Sequence, residues 1–189
     1  MKGIWLLVII ALFVFFPMNN LWGQSNHDYE EIKHHNDLKG TSRLTIGIGH
    51  THLSEGKIDG KTEWLTLPSW ILNYDYWLSN KWALGLQNDI VLESFFIESD
   101  DSELIERSYP ISSVPIAIYK PGKHLMFIAG VGFEFTNEQT LTLTRLGFEY
   151  GFHLPNKWEI GAGLVWDNKW NYYNSWGLAI TISKLFIKH

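Results

Sequence analysis

Hydrophobic and polar residues alternate with a period of two along most of the chain after residue 42. In the first such segment, Leu44, Ile46 and Ile48 alternate with glycine and threonine. Successive side chains of a strand point to opposite faces, so this alternation predicts β-strands with one apolar and one polar face. Eight segments qualify, at 43–52, 64–77, 82–97, 106–119, 125–135, 141–154, 158–167 and 175–186.

The connections between these segments alternate in length. Short turns at 79–81, 121–123 and 155–157 are interleaved with longer polar loops near 53–63, 98–106, 136–141 and 167–175. An even strand count with short turns at one end and longer loops at the other is typical of bacterial transmembrane barrels. The pattern therefore predicts an all-β fold, an eight-stranded antiparallel up-and-down transmembrane β-barrel with its turns in the periplasm.

Aromatic content supports a membrane location. Aromatic residues make up 15% of the 189 residues and include ten tryptophans, and many of them stand at segment ends. Aromatic side chains concentrate where a bilayer meets water. The mean hydropathy of -0.08 does not argue against this location, because the apolar and polar faces of barrel strands cancel in the average.

The N-terminus predicts export. Lys2 precedes an apolar stretch from Ile4 to Phe16, which is too short to span a membrane as a helix and has the length of a signal-peptide core. We expect a signal peptide at 1–23, a polar periplasmic leader at 24–41 and the barrel at 42–189. The chain has no cysteine and a net charge of -5, which exclude thiol catalysis and argue against nucleic-acid binding.

Charged residues on the polar face mark the predicted barrel lumen, because a charge facing the middle of the bilayer costs about 2–4 kcal/mol. An eight-stranded barrel has room for little more than side chains, so buried charges must pair. We predict an Arg–carboxylate network that plugs the lumen; the alternatives are a proton or cation path and a general acid/base pair. The predicted members are Arg43, Asp75, Asp89, Glu93, Arg107, Glu134, Arg145, Glu149 and Glu159.

His50 and His52 form the most distinctive local motif. Residues two apart share a strand face, about 7 Å from each other, and these two share the outward parity of Ile48. We expect interfacial histidines near lipid headgroups. The weaker alternatives are a metal pair completed by Glu63, and a hydrolase that resembles the lipid A deacylases of eight-stranded outer-membrane barrels. Thr51 and His52 do not reproduce the His-x-Ser arrangement of that family.

A wider resemblance rests on Pro68-Ser69-Trp70, on Asn73 to Trp77 and on Asn80 to Leu86. These segments resemble small OmpA/OmpX-type barrels and are similar to outer-membrane β-barrel proteins of the Bacteroidetes type. The resemblance implies the outer membrane of a Gram-negative bacterium, with lipid and the barrel-insertion machinery as partners. The chain departs from the usual aromatic end, because three residues follow Phe186.

Three functions fit the pattern. The first, which we favour, is a monomeric structural or surface-interaction barrel without cofactor or enzymatic activity. The second is a lipid-modifying hydrolase. The third is a lipocalin-like binder of apolar ligands, which would turn the apolar face inward.

Overall fold

The computed structural model describes residues 38–58, 61–98 and 104–187. The predicted signal peptide and most of the predicted leader lie outside the described residues. Strands account for most of the described chain, and the only helical element of the described residues is a single turn at Pro155–Lys157. The strands are β1 (Thr41–Ile58), β2 (Lys61–Trp77), β3 (Trp82–Val91), β4 (Phe95–Glu98), β5 (Leu104–Arg107), β6 (Ile111–Tyr119), β7 (Leu125–Phe135), β8 (Leu141–Leu154), β9 (Trp158–Lys169) and β10 (Tyr173–Ile187).

Eight of these strands close a barrel. The order β10-β9-β8-β7-β6-β3-β2-β1 is completed by pairing of β1 with β10, in register from Thr41 opposite Ile187 to Leu53 opposite Ser175. Every neighbouring pair is antiparallel. The predicted eight-stranded antiparallel barrel is confirmed.

The two ends of the barrel differ. The turn end carries the short connections at 78–81, 120–124 and 155–157, and the loop end carries the longer ones. At the turn end, Asn80 Oδ1 accepts a hydrogen bond from the backbone N–H of Leu38 at 2.8 Å, and Leu38 packs on the lumenal core. The segment that enters the barrel therefore lies against its turn end.

In the described residues, no helix is both long and apolar enough to cross a membrane.

The third and fourth predicted strands are each broken in two. β3 ends at Val91, and β6 begins only at Ile111. Their outer parts form a separate hairpin, β4–β5, which pairs with the tip of β1 at Gly56 and Lys57. Pro110 has no N–H to donate and Tyr109 adopts a positive φ of 45°, so the strand predicted over 106–119 is interrupted between β5 and β6.

The prediction of a long loop near residues 53–63 is wrong. β1 and β2 stay paired beyond residue 53 to Ile58 and Lys61, after a shift of register between Leu53 and Gly56. Such a shift bends and twists a strand pair without ending it. The hairpin of β1 and β2 therefore continues past the point where β10 leaves β1, and β4 takes the edge of β1 that is left free there.

The outer face is apolar. Ile48, Ile180 and Phe152 are more than half exposed, and such outward side chains alternate along the barrel strands with buried ones, which are polar at some positions and apolar at others, as at Val114 and Ile128. Aromatic pairs stand near both ends: the rings of Trp82 and Tyr119 lie 4.8 Å apart at the turn end, and those of Trp166 and Trp176 lie 6.4 Å apart toward the loop end. This is the surface that a bilayer covers.

Candidate functional site in the barrel lumen

The lumen near the turn end is organised around Arg43. Its Nε donates to Asp75 Oδ2 at 2.8 Å, and its Nη1 donates to Glu159 Oε1 at 2.9 Å and to Glu149 Oε1 at 3.1 Å. All four side chains are buried. We call these four residues the Arg43 cluster.

Each carboxylate of the Arg43 cluster lies over a glycine. A Cβ on Gly85 would collide with Asp75 Oδ1, one on Gly151 would come within 2.7 Å of the Glu159 carboxylate, and one on Gly161 within 2.8 Å of Glu149 Oε1. These glycines provide the space that the large lumenal side chains occupy, the role expected for glycine where groups approach closely.

Two further basic groups adjoin the Arg43 cluster. His153 Nε2 lies 3.2 Å from Glu159 Oε2 and is 30% exposed. Lys120, in the turn after β6, is buried with its Nζ 5.6 Å from the centre of the Trp77 ring. Burial lowers the pKa of Lys120, and the nearby carboxylates of Glu159 and Glu149 oppose that shift.

A second cluster, around Arg145, crosses the lumen closer to the loop end. Arg145 Nε and Nη2 donate to the two oxygens of Asp167 at 2.8 and 2.7 Å, and Nη2 also donates to Asp89 Oδ1 at 2.6 Å. The fork-like contact with Asp167 fixes the plane of the guanidinium. Arg145 thereby ties β8 to β9 and to β3 across the barrel.

A third cluster closes the loop end. Arg107 on β5 donates to Glu134 Oε1 through Nη2 at 2.6 Å and to the backbone oxygen of Gln139 at 2.8 Å. The Tyr173 hydroxyl donates to the same carboxylate at 2.6 Å, and Lys169 Nζ lies 3.6 Å from Glu134 Oε2. Arg107 is fully buried, although β5 is not one of the eight strands that close the barrel.

The β4–β5 hairpin supplies an apolar cap over the same end. Phe95 and Ile97 of β4 are buried, and the Phe95 ring meets the Tyr173 ring edge-on at 5.9 Å. They pack with apolar side chains of the barrel rim, namely Leu53, Leu67, Val91 and Leu141. The hairpin therefore lies across the mouth of the barrel and its inner face is part of the core.

Between the Arg43 cluster and the cap lies a chamber of about 60 Å³. Its wall is mixed, with Asp89, Glu149 and Thr181 among its polar residues and Ile71, Ile128 and Val165 among its apolar ones. A polar space of this size accommodates roughly four water molecules.

Eight of the nine predicted lumen residues lie in these three clusters. The ninth, Glu93, is a correction: it is exposed in the bend between β3 and β4, because the strand that would have placed it inside ends at Val91. Asp167 and Lys169 were missed. Their signal was present, since both continue the parity of Glu159 along β9. Asp167 is the last residue of the predicted strand but was not included in the predicted network, and Lys169 fell in the predicted loop.

His50 and His52 lie on the outer side of β1, as their parity predicts, with ring centroids 6.5 Å apart. His52 Nδ1 lies 3.0 Å from the Thr66 hydroxyl of β2. No group of three His, Asp or Glu side chains able to hold a metal ion occurs in the described part of the chain, so the metal pair with Glu63 has no support.

The chain shares its fold with solved outer-membrane proteins. The N-terminal β-barrel domain of Pseudomonas aeruginosa OprF matches with a TM-score of 0.53 and 13% identity, over 78% of this chain and 98% of that one. The outer membrane protein OprG of the same organism matches with a TM-score of 0.50 and 12% identity, over 81% and 99%. This is the fold of a small outer-membrane β-barrel.

No protein-family model matches the chain, and no curated protein matches it. At these identities the solved structures establish the fold alone. The predicted outer-membrane location agrees with that fold, whereas the resemblance to Bacteroidetes-type proteins finds no support in these matches.

Proposed function

We propose that the protein is an integral outer-membrane barrel with a closed lumen, which acts as a structural or surface-interaction element. The observation that carries this proposal is the filling of the lumen. Three ion-pair clusters span it between the turn end and the loop end, and the β4–β5 hairpin packs over the mouth. Solute passage would require breaking several buried charge pairs, each costly to separate.

The proposed orientation places the turn end in the periplasm and the loop end at the cell surface. In this orientation the tips of β1 and β2 and the β4–β5 hairpin stand outside the cell. Trp64 and Leu104 there are 71% and 60% exposed, so apolar side chains are available to a partner. Membrane lipid and the barrel-insertion machinery are the other expected partners.

Conductance tests the closed lumen. Purified protein refolded into planar bilayers is expected to give no reproducible current steps. Gel mobility of unboiled and boiled samples from the same preparation serves as the control that folded barrel was present. Reproducible single-channel steps that disappear in Glu149→Gln would contradict the closed lumen and would favour a cation path.

A lipid-modifying hydrolase is the second candidate, and the contact between His52 and Thr66 is the observation that favours it. An imidazole beside a hydroxyl on a lipid-facing surface is the pairing that activates a nucleophile. Mass spectrometry of lipid A from cells with the wild-type protein or with Thr66→Val tests this candidate, with His50→Gln as the matched control. An acyl pattern unchanged by removal of the whole protein would eliminate it.

The lipocalin-like alternative has no such support. Most large apolar side chains face outward, and the lumen, although it contains buried apolar residues such as Val114 and Ile116, is crossed by three ion-pair clusters, whereas a soluble carrier of apolar ligands needs an apolar cavity.

A further inference from the structure

The described lumen carries one more carboxylate than lysine and arginine side chains. The acidic members are Asp75, Asp89, Glu134, Glu149, Glu159 and Asp167, and the lysines and arginines are Arg43, Arg107, Lys120, Arg145 and Lys169. The clusters around Arg145 and around Arg107 together contain three of these carboxylates and, with Lys169, three of these basic side chains, so their formal charges cancel. The excess negative charge therefore belongs to the Arg43 cluster, where three carboxylates share Arg43 and Lys120.

Among the described residues, four buried side-chain atoms have no hydrogen-bond partner, namely Thr41 Oγ1, Asp75 Oδ1, Trp77 Nε1 and Thr181 Oγ1, and of these residues only Thr181 lines the chamber. The Thr181 hydroxyl is buried and makes no hydrogen bond to any described residue. A Cβ on Gly161 would lie 2.6 Å from Thr181 Oγ1 and 2.8 Å from Glu149 Oε1, so both oxygens lie against this glycine at the same part of the chamber wall. Glu149 and Thr181 also line the chamber. A buried hydroxyl without a partner is costly, which points to a bound group that satisfies it.

We propose that this space binds one monovalent alkali cation, Na⁺ or K⁺, held by the Glu149 carboxylate and the Thr181 hydroxyl and otherwise by water in the chamber. All the donors are oxygen atoms, which hard cations prefer. One positive charge cancels the excess of the Arg43 cluster. A divalent ion would overcompensate it, and Glu149 is the one carboxylate found beside Thr181 at Gly161, whereas divalent ions use carboxylate-rich sites.

The inference rests on the closed lumen proposed above, because an open pore would exchange ions freely. Its test is independent of conductance. A barrel that carries no current and shows no cation dependence would overturn the cation site and leave the closed lumen intact.

The experiment compares the thermal unfolding of the refolded barrel, followed by gel mobility, in NaCl, KCl and choline chloride at equal ionic strength. The pH is held constant at about 8, above the ordinary pKa of histidine. A ligand that binds only the folded state raises the midpoint. We expect a higher unfolding midpoint in NaCl or KCl than in choline chloride. The difference should grow as the concentration of the alkali ion rises, with choline chloride keeping the ionic strength constant.

Two variants locate the effect. Thr181→Val removes the hydroxyl and keeps nearly the same side-chain shape, so we expect it to abolish the cation-dependent shift of the midpoint. In choline chloride its unfolding midpoint should be no lower than that of the wild type. Gly161→Ala should abolish the same shift because its methyl group would displace both oxygens. Thr51→Val, at another part of the chamber wall, is the matched control and should keep the shift.

Equal wild-type midpoints in the three salts would overturn the proposal, as would a shift that persists in Thr181→Val. A midpoint that depends on pH between about 6 and 8 but not on the cation would also overturn it. That outcome would replace the cation by a proton, either on His153 next to Glu159 or on one of the carboxylates of the Arg43 cluster.

Discussion

At the scale of single residues, Arg43 has the largest electrostatic role in the barrel. One guanidinium contacts three carboxylates that come from β2, β8 and β9, and its side chain is 2% exposed. A planar group with several fixed N–H donors can serve three acceptors at once, whereas a lysine ammonium acts as a single point charge. The arginine is therefore specific to this position.

We expect Arg43→Gln to destabilise the barrel by about 3–5 kcal/mol, because it leaves three buried carboxylates without their main counter-charge. Arg43→Lys should recover only part of the loss. Urea unfolding of the refolded protein in lipid vesicles measures both. Lys81→Gln, at an exposed turn position, is the control, and equal losses in Arg43→Gln and this control would refute the prediction.

At the scale of elements, the β4–β5 hairpin is held mainly by side chains. It contributes few backbone pairs to the barrel, at Gly56 and Lys57 of β1, so Phe95, Ile97 and Arg107 must keep it over the mouth. Elements with few long-range backbone bonds open at lower free energy than the body of a domain. The hairpin should therefore open without unfolding of the barrel.

Phe95→Ala is expected to release the hairpin, because it removes a buried aromatic ring from the cap. Limited trypsin digestion would then cleave after Arg107, which is buried in the wild type, while the gel mobility of the folded barrel body persists. The matched control is Phe96→Ala, whose side chain is 41% exposed on the other face of the same strand. Equal cleavage in the two variants would argue against the cap.

At the scale of the whole molecule, the barrel reverses the usual arrangement of a soluble protein. Apolar residues cover the exposed outer wall, and many charged side chains are buried in the core together with apolar ones. The arrangement is stable only if lipid covers the wall, since such a wide exposed apolar area would aggregate in water.

Ile180 and Phe186 provide the test of this arrangement. Ile180 is at the middle of the outward row of β10 and Phe186 is near its end at the turn end, with 64% and 52% exposure. We expect Ile180→Arg to cost about 2–4 kcal/mol and Phe186→Arg at most about 1 kcal/mol, because the cost of a charge falls toward the membrane interface. Folding equilibria in phospholipid vesicles measure the difference. If both substitutions cost the same, the apolar belt is not centred where the structure places it.

The sequence predicted the barrel strands well where each strand has one apolar and one polar face. β7 was predicted with the observed bounds, and the parity of Arg43, Asp75 and Glu149 placed them on the lumenal face. The prediction failed at the loop end. Over 82–97 the alternation continues through the bend, so period alone could not distinguish one long strand from two short ones in different pairings.

What the sequence determined by itself is the closed barrel and the polar lumen, because the period of two and the alternating turn lengths are local properties. Only the tertiary structure decided which charges meet. Arg43 contacts Glu149 and Glu159, more than 100 positions away, and strand parity assigns a face but not a height along the barrel. The same reason applies to the hairpin, whose place over the mouth depends on the free edge that β1 presents after β10 ends.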